Sequence, residues 1–426
     1  MTHVLDTLRS RGFVADVTDE AGLRDLLASE RVTFYVGFDP TAPSLHAGSL
    51  VGMMAMAHLQ RAGHRPIALA GGATGRIGDP TGRDAEREVV DEAQLAANLA
   101  GIREHLSLVL DLEGDAGKLV DNYSWTGPMS FLEFLGRVGA HVPVTQMLGR
   151  ESVKRRLDSG GLTYAEFSYQ LLQAHDFAHL YEAEGCRLQG GGSDQWGNIT
   201  AGIDLARRMH GAQVYGLTWP LLLTADGKKF GKSAGNAVWL DPELTSPYGY
   251  YQYFVNATDD DVVAWLKLFT FLPLDEIEEV AREHERDPSA RSAQRVLARE
   301  ATRIVHGDAG VEAAEAATAV LFGDESFVGM DDAVLADAFA EAPSVEVGRA
   351  DLDTGIGLLN LLTEVGATSS NSQARQQVSQ GAVRLNNEVV TDHRRQLTTD
   401  DLASPTTLVL RVGKRRYFLA RVREDA

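Results

Sequence analysis

The first half of the chain alternates short β-rich segments, which end in glycine or aspartate, with helical stretches. This alternation is typical of a parallel sheet that is covered by helices on both faces. Three of the strand ends lead into polar loops, at residues 33–49, 67–87 and 188–196. Because such folds bind ligands at the carboxyl ends of their strands, we expect an α/β fold with a Rossmann-like doubly wound parallel sheet and a ligand site at these loops.

The chain has 426 residues, which is more than one hydrophobic core usually serves, so several domains are expected. The sequence predicts the Rossmann-like domain at residues 1–240, an all-helical domain at 241–325, a linker with possible short helices at 326–353, and a small α+β domain at 354–426. Within the last domain, we expect hairpins that turn at Asn386–Asn387 and at Gly413–Lys414.

The formal net charge of −20 argues against indiscriminate binding to nucleic acid. From residue 351 onward, ten Lys and Arg stand against nine Asp and Glu, which leaves about +1 there and about −21 on the rest. Any RNA site must therefore be local. No signal peptide or membrane-spanning stretch is recognisable, so we expect neither export nor anchoring. A lone Cys186 excludes an internal disulfide and a cysteine-based zinc cluster, which agrees with a reducing compartment.

The segment VTFYVGFDP, residues 32–40, reads as a buried strand. Side chains alternate along a strand, so Tyr35, Gly37 and Asp39 point to the same face. A glycine in the middle of a strand lets a ligand approach the backbone. The alternative is that Tyr35 is an ordinary core residue, and the strand taken alone favours that interpretation.

The segment PTAPSLHAGSL that follows is expected to open a helix near Ser44, with His46 and Ser49 on one face of its first turns. Backbone N–H groups at a helix start attract phosphate, and Gly48 carries no side chain to block a nucleotide. A second basic element, KFGKS at residues 229–233, lies in a glycine-flanked loop directly after Lys228. Its lysines suit a polyphosphate leaving group; in isolation, a solvated basic loop would be the simpler interpretation.

The segment SYQLLQAHDF predicts a helix on which Tyr169, Gln173 and Asp176 share one face, because they are spaced i, i+4 and i+7. Their polar groups can therefore converge on one small ligand. His175 and His179 are also four residues apart, but no third metal ligand has an obvious spacing, so we favour a structural role for both and predict no metal site.

Together these segments resemble class I aminoacyl-tRNA synthetases. SLHAGSL followed by KFGKS is similar to the paired signature of that class, and YVGFDPTAPSLHAG, GGATGRIGDPTGR, SYQLLQAHDF and GGSDQWGNI resemble motifs of its bacterial tyrosyl-tRNA synthetase family. The similarity continues through the rest of the chain. It implies a tyrosine–tRNA ligase, which activates L-tyrosine with ATP to tyrosyl-adenylate and pyrophosphate and then transfers tyrosine to the 3′ end of tRNA(Tyr).

The resemblance also implies roles for individual residues. In the tyrosine site, the phenol would be contacted by Tyr35 and Asp176. The α-ammonium group would be bound by Asp79, Tyr169 and Gln173, and the carboxylate would lie near Gln195. For ATP, the implied set is Gly37, Asp39, His46, Gly48, Ser49, Gly192, Asp194 and Lys232, with Gly192 and Asp194 at the ribose. The catalytic contacts to the γ-phosphate and the leaving pyrophosphate would come from Thr41, His46, Arg83, Arg87, Lys229 and Lys232.

The same resemblance implies partners and an assembly. Residues 1–240 would be the catalytic domain with the KFGKS loop, 241–325 an anticodon-side domain, and 354–426 a small RNA-binding domain of the kind found in a ribosomal protein. The RNA contacts would be Arg375, Arg384, Arg411, Lys414, Arg415 and Arg416. Mg²⁺ would accompany ATP. The apolar segment at 129–144 suits a homodimer interface, with ordinary core as the alternative, and the expected compartment is the cytoplasm.

Two residues depart from the family pattern. The signature normally ends in histidine, whereas Ser49 stands here, and a hydroxyl cannot reproduce the reach or charge of imidazole. Arg83 stands where lysine is common, which keeps the charge and changes the geometry. Two other functions stay open at this point: an RNA-binding paralogue that has lost catalysis, for which Ser49 is the one argument, and an enzyme that activates a tyrosine analogue.

Overall fold

A computed structural model describes residues 2–79, 92–150, 153–154, 157, 161–223, 230–233, 236–322, 326–340, 342–413 and 416–423. Contacts divide the chain into two compact units. The first contains residues 1–240 and 256–305, and the second contains residues 241–255 and 306–426. The domain boundaries that the sequence suggests stay a prediction, but the helical stretch expected at 241–325 is shared between the two units.

The first unit is built on a six-stranded sheet in the order β1-β6-β5-β2-β3-β4. All neighbours are parallel except β1, which pairs antiparallel with β6 and covers that edge. The strands are β1 (Asp16–Val17), β2 (Thr33–Phe38), β3 (Arg65–Ala70), β4 (Lys118–Asp121), β5 (Cys186–Gly192) and β6 (Tyr215–Trp219). The chain adds β3 and β4 on one side of β2 and then β5 and β6 on the other, so the order reverses at β2. This is the predicted doubly wound sheet.

The helices of the first unit fill the connections between these strands. They are α1 (Val4–Arg11), α2 (Glu20–Ser29), α3 (Ala47–Arg61), α4 (Thr74–Ile77), α5 (Glu92–Ser107), α6 (Tyr123–Thr126), α7 (Phe131–Arg137), α8 (Val144–Leu148), α9 (Tyr164–Glu184) and α10 (Trp196–His210). A short hairpin of β7 (Lys232–Ser233) and β8 (Asn236–Ala237) follows. The later helices are α11 (Pro247–Val255), α12 (Val262–Phe269), α13 (Leu274–Arg286) and α14 (Ser292–Phe322). Helix α11 and residues 306–322 of α14 belong to the second unit.

Apolar side chains bury the sheet. Met53, Met54 and Met56 on α3 are fully buried, as expected for a helix that packs on a sheet. A cluster elsewhere in the unit joins Tyr35 of β2 to Phe177 of α9. Helix α9 begins with a capping box, in which the Thr163 hydroxyl and the Glu166 carboxylate satisfy each other's backbone N–H groups. This places the start of α9, and therefore its polar face, at a defined position.

The second unit contains a five-stranded sheet in the order β12-β11-β14-β15-β9. Its strands are β9 (Ser344–Gly348), β11 (Val383–Leu385), β12 (Glu388–Val389), β14 (Thr407–Val412) and β15 (Arg416–Arg423), and β10 (Ile356–Gly357) pairs separately with β13 (Gln396–Leu397). Its helices include α15 (Asp332–Ala338), α16 (Arg349–Thr354), α17 (Leu358–Glu364) and α18 (Asn371–Ser379). The segment predicted as a linker therefore also supplies a strand, β9, which pairs in parallel with β15.

Both faces of this second sheet are covered. One face packs against α17 and α18 through Leu361, Val378 and Leu410, among others. The other packs through Val409 and Leu419 against a cluster that includes Phe327. The hairpin turn at Asn386–Asn387 is confirmed, since both residues have positive φ angles, 47° and 71°, as a two-residue turn of the I′ type requires. The fold class inferred from the sequence is confirmed for the parallel sheet and for the C-terminal α+β domain.

Candidate active site

A cavity of about 320 Å³ lies at the carboxyl ends of β2 and β5, where the strand order reverses. Thirteen of the residues that the sequence singles out line it: Tyr35, Gly37, Asp39, Thr41, His46, Gly48, Ser49, Asp79, Tyr169, Gln173, Asp176, Gly192 and Gln195. These residues come from segments that are far apart in the chain. The fold therefore brings the three polar strand-end loops to one place, as expected for a site at a topological switch point.

One end of the cavity is lined by Tyr35 and Asp176. We call these two residues, with the hydrogen-bond donors of Asp176, Asn122 and Trp125, the closed end. The Tyr35 side chain is 1% exposed, and its hydroxyl has no hydrogen-bond partner among the described residues. The Asp176 side chain is 2% exposed and accepts two hydrogen bonds, from Asn122 Nδ2 at 3.0 Å and from Trp125 Nε1 at 2.9 Å. A buried hydroxyl without a partner, close to a buried carboxylate, is suited to bind a ligand that carries its own hydroxyl.

Burial governs the electrostatics of the closed end. It raises the pKa of Asp176 to about 7. The hydrogen bonds from Asn122 and Trp125 have the opposite, smaller effect and lower that pKa. It also raises the pKa of Tyr35 far above its ordinary value, and the neighbouring charge of Asp176 adds to that shift. The Tyr35 phenol is therefore neutral at physiological pH, whereas the Asp176 carboxyl titrates close to neutrality in the protein without ligand.

Two residues of the closed end were missed by sequence reasoning. Asn122 is fully buried, accepts a hydrogen bond from the backbone N–H of Ala73 at 2.7 Å, and donates to Thr74 Oγ1 at 3.1 Å. Trp125 stacks on His179 with ring centroids 4.5 Å apart. Both follow β4, so the signal that could have revealed them was the polar and aromatic sequence NYSW directly after a parallel strand.

The middle of the cavity is a network of amides around Asp79. Its carboxylate accepts hydrogen bonds from Gln195 Nε2 at 2.8 Å and from Asn198 Nδ2 at 3.4 Å. Gln173 Nε2 donates to Gln195 Oε1 at 3.4 Å, while Gln173 Oε1 is buried and without a partner among the described residues. A carboxylate beside an unsatisfied amide oxygen is suited to an ammonium group. Asn198, on the first turn of α10, is a further residue that the sequence did not single out.

Glycines let a ligand approach the strands here. Gly37 is exposed in the middle of β2, between buried residues, because it has no side chain to cover the backbone. On the neighbouring strand β5, a Cβ at Gly190 would lie 3.0 Å from the ring of Trp219 and 3.1 Å from Val36. The cavity wall is therefore formed by backbone at these positions. Asp194 lies beside this wall, and its carboxylate accepts a hydrogen bond from Gln195 Nε2 at 3.3 Å.

The other end, which we call the signature end, contains Thr41, His46, Gly48 and Ser49. The expectation that the helix opens near Ser44 is wrong: α3 begins at Ala47, and His46 is its N-cap in an extended conformation. His46 Nδ1 accepts a hydrogen bond from the backbone N–H of Gly48 at 3.0 Å. The helix starts three residues later than expected because the imidazole caps it. His46 Nε2 is thereby left as the ring nitrogen that is not used in the cap.

The backbone of the KFGKS segment runs beside the start of α3. Val238 N donates to the Gly231 carbonyl at 2.9 Å, and Ala47 N donates to the Val238 carbonyl at 2.8 Å. Any Cβ on Gly231 would lie 2.6 Å from the amide nitrogen of Gly48. Phe230 is buried and stacks on Phe269 with ring centroids 4.7 Å apart. The two halves of the signature, almost 200 residues apart in the chain, therefore meet through their glycines.

Several residues singled out from the sequence lie outside the described residues: Arg83, Arg87, Lys229, Lys414 and Arg415. Lys232 is described only through its backbone, in β7.

The two histidines considered as metal ligands have other surroundings. His175 is buried against the ring of Phe134, and burial lowers its pKa to about 4. His179 stacks on Trp125. Within the described part of the chain, no group of three or more His, Cys, Asp and Glu side chains could hold a metal ion. Both contacts fit the structural role that the sequence analysis favours for these histidines.

Among the predicted RNA contacts that the structure describes, Arg375 lies on a different face of the domain from Arg384 and Arg411. Arg375 is exposed on α18, which packs against one face of the second sheet. Arg384 and Arg411 face each other on neighbouring strands and point to the opposite face, as strand alternation requires. Arg384 donates to the Asn387 carbonyl at 2.9 Å, and Arg411 donates to the Tyr417 hydroxyl at 3.4 Å. Arg416 lies next to the ring of Phe418, 5.9 Å from its centroid.

An apolar surface is present on the segment considered for a dimer interface. Phe131 is 62% exposed, Leu132 79% and Val144 59%, and all three lie on or beside α7 and α8. Such a group of exposed large apolar side chains is typical of an interface. Across the described helices, none combines the length and the apolar character that crossing a membrane requires.

Comparison with known proteins gives matches over almost the whole chain. Residues 27–323 match the family model described as tRNA synthetases class I (W and Y), and residues 335–420 match the SYY-like C-terminal domain of tyrosine–tRNA ligases. Tyrosine–tRNA ligases of Rhodopirellula baltica and Roseiflexus castenholzii are each 47% identical, over 99% of this chain and 97% and 100% of those proteins. A C-terminally truncated mitochondrial tyrosyl-tRNA synthetase from Coccidioides posadasii is similar in structure, with a TM-score of 0.66 and 38% identity over 74% of this chain and 91% of that one.

Proposed function

The chain belongs to the class I tRNA synthetases for tryptophan and tyrosine, as a tyrosine–tRNA ligase, and from this premise we propose which of its residues carry out the two steps of the reaction. It activates L-tyrosine with ATP and transfers the tyrosine to tRNA. The observation that supports the assignment of residues most directly is the closed end of the cavity, where the unpartnered Tyr35 hydroxyl and the Asp176 carboxylate are buried together.

The substrate phenol occupies the closed end. Its hydroxyl donates to Asp176 and accepts from Tyr35, so that both buried groups are satisfied when tyrosine binds. Phenylalanine has no hydroxyl, so it would leave the Tyr35 hydroxyl without a partner and would bring no donor to the buried Asp176 carboxylate. Tyrosyl enzymes are themselves the standard example of this kind of discrimination, which needs no editing domain. Asn122 and Trp125 hold the Asp176 carboxylate in place and so preorganise the site.

The amino acid backbone of the substrate lies in the middle of the cavity. Asp79, Tyr169 and Gln173 bind the α-ammonium group, and Gln195 lies near the carboxylate, with Asn198 orienting both Asp79 and Gln195. The carboxylate is already ionised at neutral pH, so it attacks the α-phosphorus of ATP without a protein base. Catalysis then depends on positioning and on cationic stabilisation of the developing pyrophosphate.

ATP occupies the signature end. The nucleotide approaches β2 at Gly37 and Asp39, and its ribose is bound by Gly192 and Asp194. Its phosphates are contacted by residues around the start of α3, namely Thr41, His46, Gly48 and Ser49. Arg83, Arg87, Lys229 and Lys232 are proposed to gather around the leaving pyrophosphate. Mg²⁺ enters as part of the ATP substrate, held by phosphate oxygens and water, because the described residues provide no cluster of ligands for it.

In the second step, a hydroxyl of the terminal tRNA ribose attacks the adenylate carbonyl, and AMP leaves. We propose the C-terminal α+β domain as an RNA contact, since it carries the one positive charge balance in an anionic chain. We also propose that the chain forms a homodimer through the exposed apolar side chains of Phe131, Leu132 and Val144. The proposed compartment is the cytoplasm, because tRNA and ATP are available there.

The test of this assignment is Tyr35→Phe in tyrosine-dependent ATP–pyrophosphate exchange. The kcat/KM for tyrosine should fall by roughly tenfold, the scale of one hydrogen bond of about 1 kcal/mol, and that for phenylalanine should not fall. Tyr250→Phe is a matched control, because Tyr250 also has a fully buried hydroxyl without a partner among the described residues but does not line the cavity. Equal losses for both amino acids, or for both variants, would contradict the assignment.

A further inference from the structure

Residues 39–46 connect β2 to α3 and include two of the groups proposed at the ATP phosphates, Thr41 and His46. We call them the phosphate loop. The loop has no helix or strand of its own, and Thr41 at its tip is exposed. The hydrogen bond from Thr41 N to the Asp39 carbonyl, 2.8 Å long, closes only a short turn. The position of the loop must therefore be set by what it packs against.

Helix α5 contacts this loop at three points along one face. Asn98 Nδ2 donates to the Pro40 carbonyl at 2.9 Å, and the Asn98 side chain is 2% exposed. Further along the helix, the Leu45 N–H donates to His105 Nδ1 at 3.4 Å, and His105 is also buried. Between them, any Cβ added to Gly101 would overlap the carbonyl oxygen of Pro43. These residues are spaced i, i+3 and i+7, which is one face of a helix.

Two of these contacts each require a particular residue on α5, an amide at position 98 and a glycine at position 101. A carbonyl oxygen can only accept a hydrogen bond, so the amide nitrogen of Asn98 must face Pro40, and Gln94 Nε2 fixes that orientation by donating to Asn98 Oδ1 at 2.8 Å. Gly101 has to be a glycine for the Pro43 carbonyl to reach the helix backbone. Ile102, on the same face, is buried and lines the cavity itself.

We propose that Asn98, Gly101 and His105 of α5 are positioning residues for ATP, which act by holding the backbone of the phosphate loop at Pro40, Pro43 and Leu45. They touch neither substrate. The proposed contacts to tyrosine come from β2, from α9, from Asp79 after α4 and from Gln195 just before α10. No described hydrogen bond joins α5 to the residues of the closed end. Loss of an α5 contact therefore affects ATP and leaves tyrosine binding unchanged. The inference rests on the proposed role of Thr41 and His46 at the phosphates.

The experiment is steady-state pyrophosphate exchange with each substrate varied in turn, on the full chain. Asn98→Ala should raise the KM for ATP by roughly tenfold, the scale of one buried hydrogen bond. Gly101→Ala displaces the loop directly, and a misplacement near 1 Å can cost about a hundredfold in kcat/KM for ATP. The KM for tyrosine should stay within about twofold in both, since that site is untouched. Arg103→Ala is the control: it truncates an exposed side chain on the same helix.

Folding is checked by thermal unfolding of each variant. Alanine has a higher helix propensity than glycine, so a loss of ATP binding in folded Gly101→Ala cannot come from a weaker helix. If Gly101→Ala does not fold, Asn98→Ala still decides the question. An unchanged KM for ATP in Asn98→Ala, or parallel increases in KM for both substrates, would overturn the inference.

Two reference variants separate this inference from the proposed function. Thr41→Ala and His46→Ala should each weaken ATP use. If they do so while the α5 variants do not, only the role of α5 is wrong. If neither reference variant changes ATP kinetics, the proposed phosphate contacts are themselves wrong. Combining Asn98→Ala with His46→Ala should cost less than the sum of the two single effects, because both act through one loop.

Discussion

Asp176 and Ser49 line the same cavity, but their surroundings differ. At the closed end, the polar groups come from β2, α9 and the segment after β4, and most of them are buried. Asn122 and Trp125 hold the Asp176 carboxylate through hydrogen bonds of 3.0 and 2.9 Å. At the signature end, Thr41 is exposed and His46 and Ser49 are half-buried. The contacts that order this end are mainly backbone hydrogen bonds and one imidazole cap.

This difference explains where the chain can depart from its family pattern. A polar group lost at the closed end leaves buried partners that water cannot satisfy, so the full cost of desolvation is incurred. At the signature end, water can replace a missing side chain because the residues are partly exposed. The departure at Ser49 lies at the tolerant end. The closed end, where we propose that tyrosine is distinguished from phenylalanine, contains both residues that the sequence analysis expects there, Tyr35 and Asp176.

The largest effect is expected from Asp176→Asn, which keeps the shape of the side chain and removes its charge. An amide at this position would direct donor hydrogens at Asn122 or Trp125, which are themselves donors. We expect kcat/KM for tyrosine to fall by roughly a hundredfold to a thousandfold, about 3 to 4 kcal/mol, and the preference over phenylalanine to narrow. Pyrophosphate exchange with both amino acids measures this. An unchanged preference would show that Asp176 does not meet the phenol.

The second prediction uses the pKa of Asp176, which burial raises to about 7. If the carboxylate form accepts the phenol hydrogen bond, kcat/KM for tyrosine should fall by about tenfold between pH 8 and pH 6, since one group with that pKa is mostly protonated at the lower pH. Asp176→Asn should lack this limb of the profile. A profile that is the same in both proteins would assign the titration to another group.

The same shift predicts a stability effect. Because the folded-state pKa lies above the unfolded value of 3.8, the native protein binds this proton more tightly than the unfolded chain does. The free energy of unfolding of the ligand-free protein should therefore decrease as the pH rises from about 4 to about 7 through this group. Thermal unfolding of wild type and Asp176→Asn at several pH values measures this effect. The difference between the two proteins in how unfolding free energy changes with pH isolates the contribution of Asp176.

The smallest effect is expected from Ser49→His, at the signature end. Serine leaves room that an imidazole would fill, so the variant should tighten ATP binding or speed activation by up to roughly tenfold, the scale of one added hydrogen bond of about 1 kcal/mol. The KM for tyrosine should hardly change. A clear loss of activity would mean that the neighbouring residues have packed around serine.

Much of the site could be predicted from local pattern. Helical spacing places Tyr169, Gln173 and Asp176 on one face of α9, and all three line the cavity. Strand alternation likewise places Tyr35, Gly37 and Asp39 together. By contrast, Asn122 and Asn98 look like ordinary polar residues in the sequence. Their importance comes from the backbone carbonyls and the carboxylate that they meet, and those partners are 54 to 58 residues away in the chain.

Local pattern is enough to predict the parallel sheet, the order of the strand-end loops, the two-residue turn at Asn386–Asn387 and the family, because periodicity, turn chemistry and motifs are local properties of the chain. The cap that His46 forms on α3, the hydrogen bond from α5 to the phosphate loop and the pairing of β9 with the C-terminal sheet are visible only in the folded chain. The tertiary structure also decided the pKa of Asp176. Burial and hydrogen-bond partners depend on which distant segments pack together, and no local pattern encodes them.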